Sequence, residues 1–238
     1  MTTNTLISDL AIVQAPARLA KNKRIESIDF LRGVVMIIMA LDHVRDYFHY
    51  DAFMYSPTDL SQTNIPLFFT RFITHYCAPV FVFLAGTSSY LYGVKRSKKQ
   101  LSLYLLTRGL WLVFLEIFIV GLFRTFSYTY LNLQVIWAIG ISMIVLSVLI
   151  YLPRALILLS AILLIAAHDL LDTVHVAGNS SVAVLWSILH DVKHFTYGYF
   201  IIYVHYPVLP WIGVMTAGYY LGSLYARDYP AIKRKQIL

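Results

Sequence analysis

The stretch that decides the fold is Arg24–His49, RIESIDFLRGVVMIIMALDHVRDYFH. It opens with charge, runs through an apolar middle and ends in a dense polar cluster. At helical spacing, Asp29, Arg32, Met36, Met39, His43, Asp46 and Tyr50 form one stripe, flanked by Asp42 and Arg45. A helix that is greasy in the middle and carries Asp42, His43, Arg45 and Asp46 at one end is suited to hold a titratable group near a membrane face. The rest of the chain is expected to wrap around this helix.

Composition points the same way. Of 238 residues, 59% are hydrophobic and 13% charged, with mean hydropathy +0.67. A soluble domain is nearer half apolar and a quarter charged. The apolar residues are gathered into runs long enough for a bilayer, which takes about 20 residues per helix. The predicted class is therefore all-α, a polytopic transmembrane helix bundle of about six spans plus interfacial or re-entrant segments.

The spans are read at about Phe30–Phe48, Ala78–Gly93, Leu101–Phe123, Leu131–Tyr151, Ala155–Leu171 and Val208–Tyr225. Ile65–His75 reads as re-entrant or interfacial. Asp172–His194 is polar around an amphipathic stretch, Val182–Leu189, and Tyr199–Tyr206 leads into the last span. Residues 1–23 read as a disordered cytoplasmic tail, 24–226 as the membrane domain, and 227–238 as a basic cytoplasmic tail or the start of a further helix. The N-terminus lacks the basic-then-apolar pattern of a signal peptide.

The net charge of +7 sits in short loops, so it orients helices and does not indicate nucleic acid. Lys95–Lys99, Arg154 and both termini fall on one side, the alternate loops on the other. The positive-inside rule places the first set, with both termini, in the cytoplasm of a multi-pass inner-membrane protein. The Asp42–His49 cluster then lies at the outer face. A single cysteine, Cys77, excludes an intrachain disulfide and a multi-Cys metal site.

Ionisable groups inside spans face a cavity or a partner. His43 reads as a general base oriented by Asp42 or Asp46, or as a histidine wetted by headgroups. Arg71 and His75 share a helix face, Arg71 as an anion clamp. The Arg71–Gly86 segment is expected to pack against the Asp42–His49 end. Arg108 reads as a phosphate ligand or a snorkelling arginine, and Glu116 as a paired buried acid. His168 with Asp172 is at most half a metal site, so no metal is expected.

IDFLRG, LDH, SPTDLSQT, TRFITHYCAPVFVFLAGTS, LLTRGLWLVFLE, LQVIWAIG and YPVLPWIGVMTAGYYLG occur in that order. In these motifs the chain resembles bacterial members of the heparan-alpha-glucosaminide N-acetyltransferase catalytic-domain family, over Arg24 to about Leu224. More distantly, Gly33 and His43 have the spacing of the wider membrane acyltransferase superfamily, FVFLAG resembles its second helix, and Arg108 its basic motif. The resemblance implies transfer of an acyl group, in the first instance acetyl, from cytoplasmic acyl-CoA to a hydroxyl or amine of an outer-side acceptor such as an envelope sugar. It implies catalytic roles for His43, Asp42 and Asp46, and for His49, which competes with His43 because the lysosomal enzymes place their histidine farther along. Arg45, Arg71, His75 and Arg108 would bind the anionic parts of the substrates. It also implies helices beyond KRKQIL, so that the chain reads as shortened at its C-terminus. Membrane lipid and a small-molecule or glycan acceptor are the expected partners, and a homo-oligomer is compatible with the sequence. The competing readings are a permease-like protein with a His/Asp proton relay, and a non-catalytic membrane subunit.

Overall fold

The computed structural model describes residues 26–226. The two tails expected at 1–23 and 227–238 lie outside the described residues.

The first helix, α1, runs Glu26–Phe48, followed by the short α2, Tyr50–Met54. Helix α3, Ile65–Thr74, starts where Asn64 accepts a hydrogen bond from the Leu67 amide, with Pro66 in the first turn. Two residues in a turn separate it from α4, Cys77–Gly93. Helix α5, Lys98–Phe114, begins in a capping box: Ser97 and Gln100 satisfy each other's backbone amides. It continues as a π-helical turn, Leu115–Val120, into α6, Gly121–Thr125.

Strand β1, Tyr130–Leu133, precedes α7, Val135–Leu149. Helix α8, Arg154–Ala166, ends in a 3₁₀ turn, His168–Leu171. Helix α9, Ser181–Leu189, is capped by Ser180. Strands β2, Lys193–Tyr197, and β3, Phe200–Val204, form a hairpin, and α10, Val208–Gly222, closes the described chain with a 3₁₀ turn.

The all-α expectation is thus corrected by a small sheet of order β1-β3-β2. β3 pairs antiparallel with β2 and parallel with β1, Tyr130 opposite Ile201. The span expected at Leu131–Tyr151 begins as strand, because β3 offers β1 a partner some 70 residues away in sequence that local periodicity does not reveal. The span expected at Ala155–Leu171 likewise loses α-helical form after Ala166. Tyr199–Tyr206 is mostly β3. Its turn has Gly198 at φ +60°, as the first central position of a type II′ hairpin requires.

Among the described residues, two helices are long and apolar enough to cross a membrane: Ile65–Gly93, 29 residues with its short break, and Lys98–Phe123, 26 residues. Helices α7 and α8 are apolar but shorter. Contacts fix the helix directions. Arg32 reaches Ser88 while Val35 meets Cys77, so α1 and α4 are antiparallel. Ser102 bonds the Ser147 carbonyl and Gly109 abuts Gly140, so α5 and α7 are antiparallel. Arg154 lies over Tyr220 and Gly213 abuts Ile165, so α8 and α10 are antiparallel. Gly218 abuts Phe83 and Gly222 abuts Thr87, so α4 and α10 run parallel. Gly93 abuts Leu101 and Tyr92 stacks on Tyr104, so α4 and α5 are antiparallel as well, and the six longer helices α1, α4, α5, α7, α8 and α10 alternate in direction.

The buried core lies among α4, α5, α7 and α10: Val82, Leu101, Leu105, Met143, Leu146, Ile150 and Met215. Helix α1 sits at its flank, so the bundle does not wrap around α1 as expected. Its inward residues are Ile28, Val35 and Arg45, with Asp42 partly covered. His43, Asp46 and Tyr50, on the stripe read from the periodicity, are exposed. The flanking residues face the bundle because Arg45 finds its partners there.

Candidate active site

Arg45 organises the site. Its side chain is 4% exposed, a burial that a guanidinium tolerates only when its donors are taken. It pairs with Asp42, donates to Asp46 at 2.7 Å and lies 3.3 Å from the Thr74 hydroxyl. Asp42 also accepts from Thr74 and, at 3.4 Å, from Arg71. The two arginines, two aspartates and Thr74 thus join α1 to α3 as one network. Arg71 keeps about a third of its side chain exposed, leaving donors for an anion.

The expected packing of the Arg71 segment on the polar end of α1 is present, through Thr74 in place of His75. Thr74 lies at i+3 from Arg71 and is buried, whereas His75 is exposed, its ring 6.5 Å from that of Tyr76. His43 is exposed, with the Tyr47 ring 6.4 Å away. Asp42 and Asp46 direct their bonded oxygens to Arg45, so neither is seen orienting His43. His49 is exposed and caps α2, its amide bonded to the Arg45 carbonyl at 3.0 Å. Arg108 is exposed on α5, its guanidinium 5.5 Å over Tyr104, away from this cluster in sequence and element. Glu116 is buried in the π-helical turn.

The sequence reading missed Tyr206. The sheet delivers it: the amides of His205 and Tyr206 both reach the Leu133 carbonyl, at 3.1 Å. Tyr206 lies within electrostatic reach of Arg71, Asp42 and Asp46. Burial first, and then the two aspartates, push its phenol above the ordinary range against the opposing pull of Arg71. It stays protonated and a hydrogen-bond donor at neutral pH. Its ring lies 5.2 Å from both His205 and Trp211. The available signal was Tyr206-Pro207 at a helix entry, a position that fixes the backbone just ahead of α10.

Among the described residues, no group of three or more His, Cys, Asp or Glu could hold a metal. The site offers acid–base side chains and arginine donors.

Two apolar helices of membrane-crossing length, beside a charged network at the end of α1, are consistent with insertion in a membrane. The family model described as heparan-alpha-glucosaminide N-acetyltransferase, catalytic, matches residues 24–237. The chain belongs to that family, which is membrane-associated and acetyltransferase-like. No curated protein and no solved structure gave a significant match.

Proposed function

We propose that the protein is a multi-pass membrane acyltransferase that moves an acetyl group from cytoplasmic acetyl-CoA to an amine or hydroxyl of an acceptor, such as an envelope sugar, at the opposite face. The observation that carries this reading is the Asp42–Arg45–Arg71–Thr74 network beside His43, inside the stretch that matches the family. Six helices of alternating direction support a six-span topology. They put Lys95–Lys99 and Arg154 at the end opposite the network, the arrangement of cytoplasmic loops.

His43 acts as general base, with His49 one helical turn and a half farther on as the competing candidate. The acceptor nitrogen or oxygen attacks the thioester carbonyl, its proton passes to the imidazole, and the C–S bond breaks as the thiolate leaves and is protonated to CoA. Arg45, with Asp42 and Asp46, fixes the helix end that presents the histidine. Arg71 supplies the exposed donor for an anionic part of a substrate, and Tyr206 a neutral one. His75 and Arg108 lie apart from the network and would bind anionic parts of the substrates outside it. Purified protein incubated with radiolabelled acetyl-CoA and amino-sugar acceptors should yield labelled acceptor. Absence of label in every acceptor and in the protein would overturn the reading.

A further inference from the structure

Between α1, α4 and α10 lies a cavity of about 410 Å³. Its walls are Ile28 and Leu31 of α1, Val80, Phe83 and Leu84 of α4, and Val214 of α10. The Thr87 hydroxyl at one end is already engaged with the Phe83 and Gly218 carbonyls, and away from that end the walls are apolar. Along α4 it runs from Pro79 to Thr87, about 12 Å at 1.5 Å per residue. That approaches half of a hydrocarbon core of about 30 Å, the depth of one leaflet.

Two features identify the occupant. Leu31 lines the cavity and is also 42% exposed, with Phe30 beside it 75% exposed. The cavity therefore opens on an apolar flank of the bundle, through which a hydrocarbon chain can enter from the side. Its polar end, at Ser27, Thr87 and Tyr225, lies toward the end where cations gather. Arg96, Lys98 and Lys99 are exposed beyond α4, and Arg154 starts α8 against Tyr220 near the end of α10. Next to the lining residues Leu31 and Leu84, Arg32 crosses from α1 to the Ser88 hydroxyl and the Leu84 carbonyl. Its side chain stays 36% exposed, and the carboxylate facing it, Asp29 at 3.5 Å, is itself half exposed.

We propose that this cavity binds one acyl chain of an anionic phospholipid, with the headgroup phosphate held at the basic end by Arg32 and its neighbouring cations. A chain entering sideways contributes burial of apolar surface, and the cations supply the preference for an anionic head. The site is separate from the Arg45 network and its occupancy does not depend on acyl transfer.

The test is native mass spectrometry of the full chain in mild detergent, titrated with phosphatidylglycerol or with phosphatidylcholine of the same chains, without acetyl-CoA. Expected is one tightly retained phosphatidylglycerol, at least tenfold tighter than phosphatidylcholine. Leu31→Trp, which fills the cavity from an exposed position, should weaken that retention at least tenfold, with Val80→Trp as the second variant should the first fail to fold. Ile162→Trp, exposed on α8, should change nothing. Arg32→Gln should erase the preference between headgroups while leaving chain binding. Equal retention of the two lipids by the unaltered protein, or retention indifferent to the tryptophans, would overturn the proposal. So would stoichiometric displacement of the lipid by acetyl-CoA, which would assign the cavity to the donor. Because the readout needs no catalysis, a protein that holds lipid but transfers no label would sink only the acyltransferase reading.

Discussion

Arg45 shows how a charged residue near a helix end can be structural while its neighbours remain available for chemistry. With its side chain 4% exposed and Asp42 18% exposed, removing the arginine leaves a partly buried carboxylate with only Thr74 and, at 3.4 Å, Arg71 as partners. Leaving a buried charge with no partner costs about 3–5 kcal/mol, and the two remaining partners of Asp42 keep the cost below that. Arg45→Met should therefore lower the thermal unfolding temperature in detergent markedly. His43→Ala should leave that temperature unchanged, because the side chain is exposed and holds nothing together. If both variants unfold alike, the division between a scaffold and a working histidine is wrong. Asp46→Asn should be milder than Arg45→Met in both stability and transfer, since Asp42 and Thr74 still hold the guanidinium. These residues were legible as a cluster from LDHVRD alone. Their division of labour was not, because periodicity gave a stripe through His43 and Asp46, and only the position of Thr74 on α3 shows that the flank through Asp42 and Arg45 is the buried one.

At the scale of elements, the helices of the core touch through backbone. A Cβ on Gly86 would sit 2.0 Å from the Met215 carbonyl oxygen, and one on Gly218 equally close to that of Phe83. Such small-residue contacts let helices approach where lipid offers no hydrophobic drive. Gly218→Ala should push α10 off α4 and cost about 1–3 kcal/mol as an overpacked site, read as a lower unfolding temperature by size-exclusion of heated samples. Gly33, with nothing within 4 Å of its would-be Cβ, is the contrast. Gly33→Ala inside α1 should stabilise by about 0.5–1 kcal/mol, and an unfolding temperature below that of the unaltered protein would contradict the open surroundings of that glycine. The helix pieces were readable from apolar runs. The sheet was not: LNL leads into the apolar run of α7 with only Asn132 and Gln134 polar, and its pairing with IYV is non-local. TYGYF did carry a hairpin signal, a glycine between two aromatic alternations, which the reading of Tyr199–Tyr206 as a lead-in to the last span passed over. Tyr206, placed by that sheet, was lost with it.

For the whole molecule, alternation of six helices separates a basic end from the end that bears the Arg45 network and the sheet. Reporter fusions after Lys99 and after Asp59 should accordingly give opposite signals, and equal signals would contradict a six-span arrangement. Loop charge made this polarity legible in the sequence. The lateral position of α1 was not legible, since amphipathicity says which face is buried and not how many neighbours bury it. The measurement that bears most directly on function is transfer of label from radiolabelled acetyl-CoA to acceptor by the unaltered protein, His43→Ala and His49→Ala, each verified as folded by its unfolding temperature. Transfer by the unaltered protein and by His49→Ala, with loss in His43→Ala, is the expected result. Loss in His49→Ala with transfer retained in His43→Ala would move the base to His49, and full transfer by both variants would contradict the catalytic reading of the cluster.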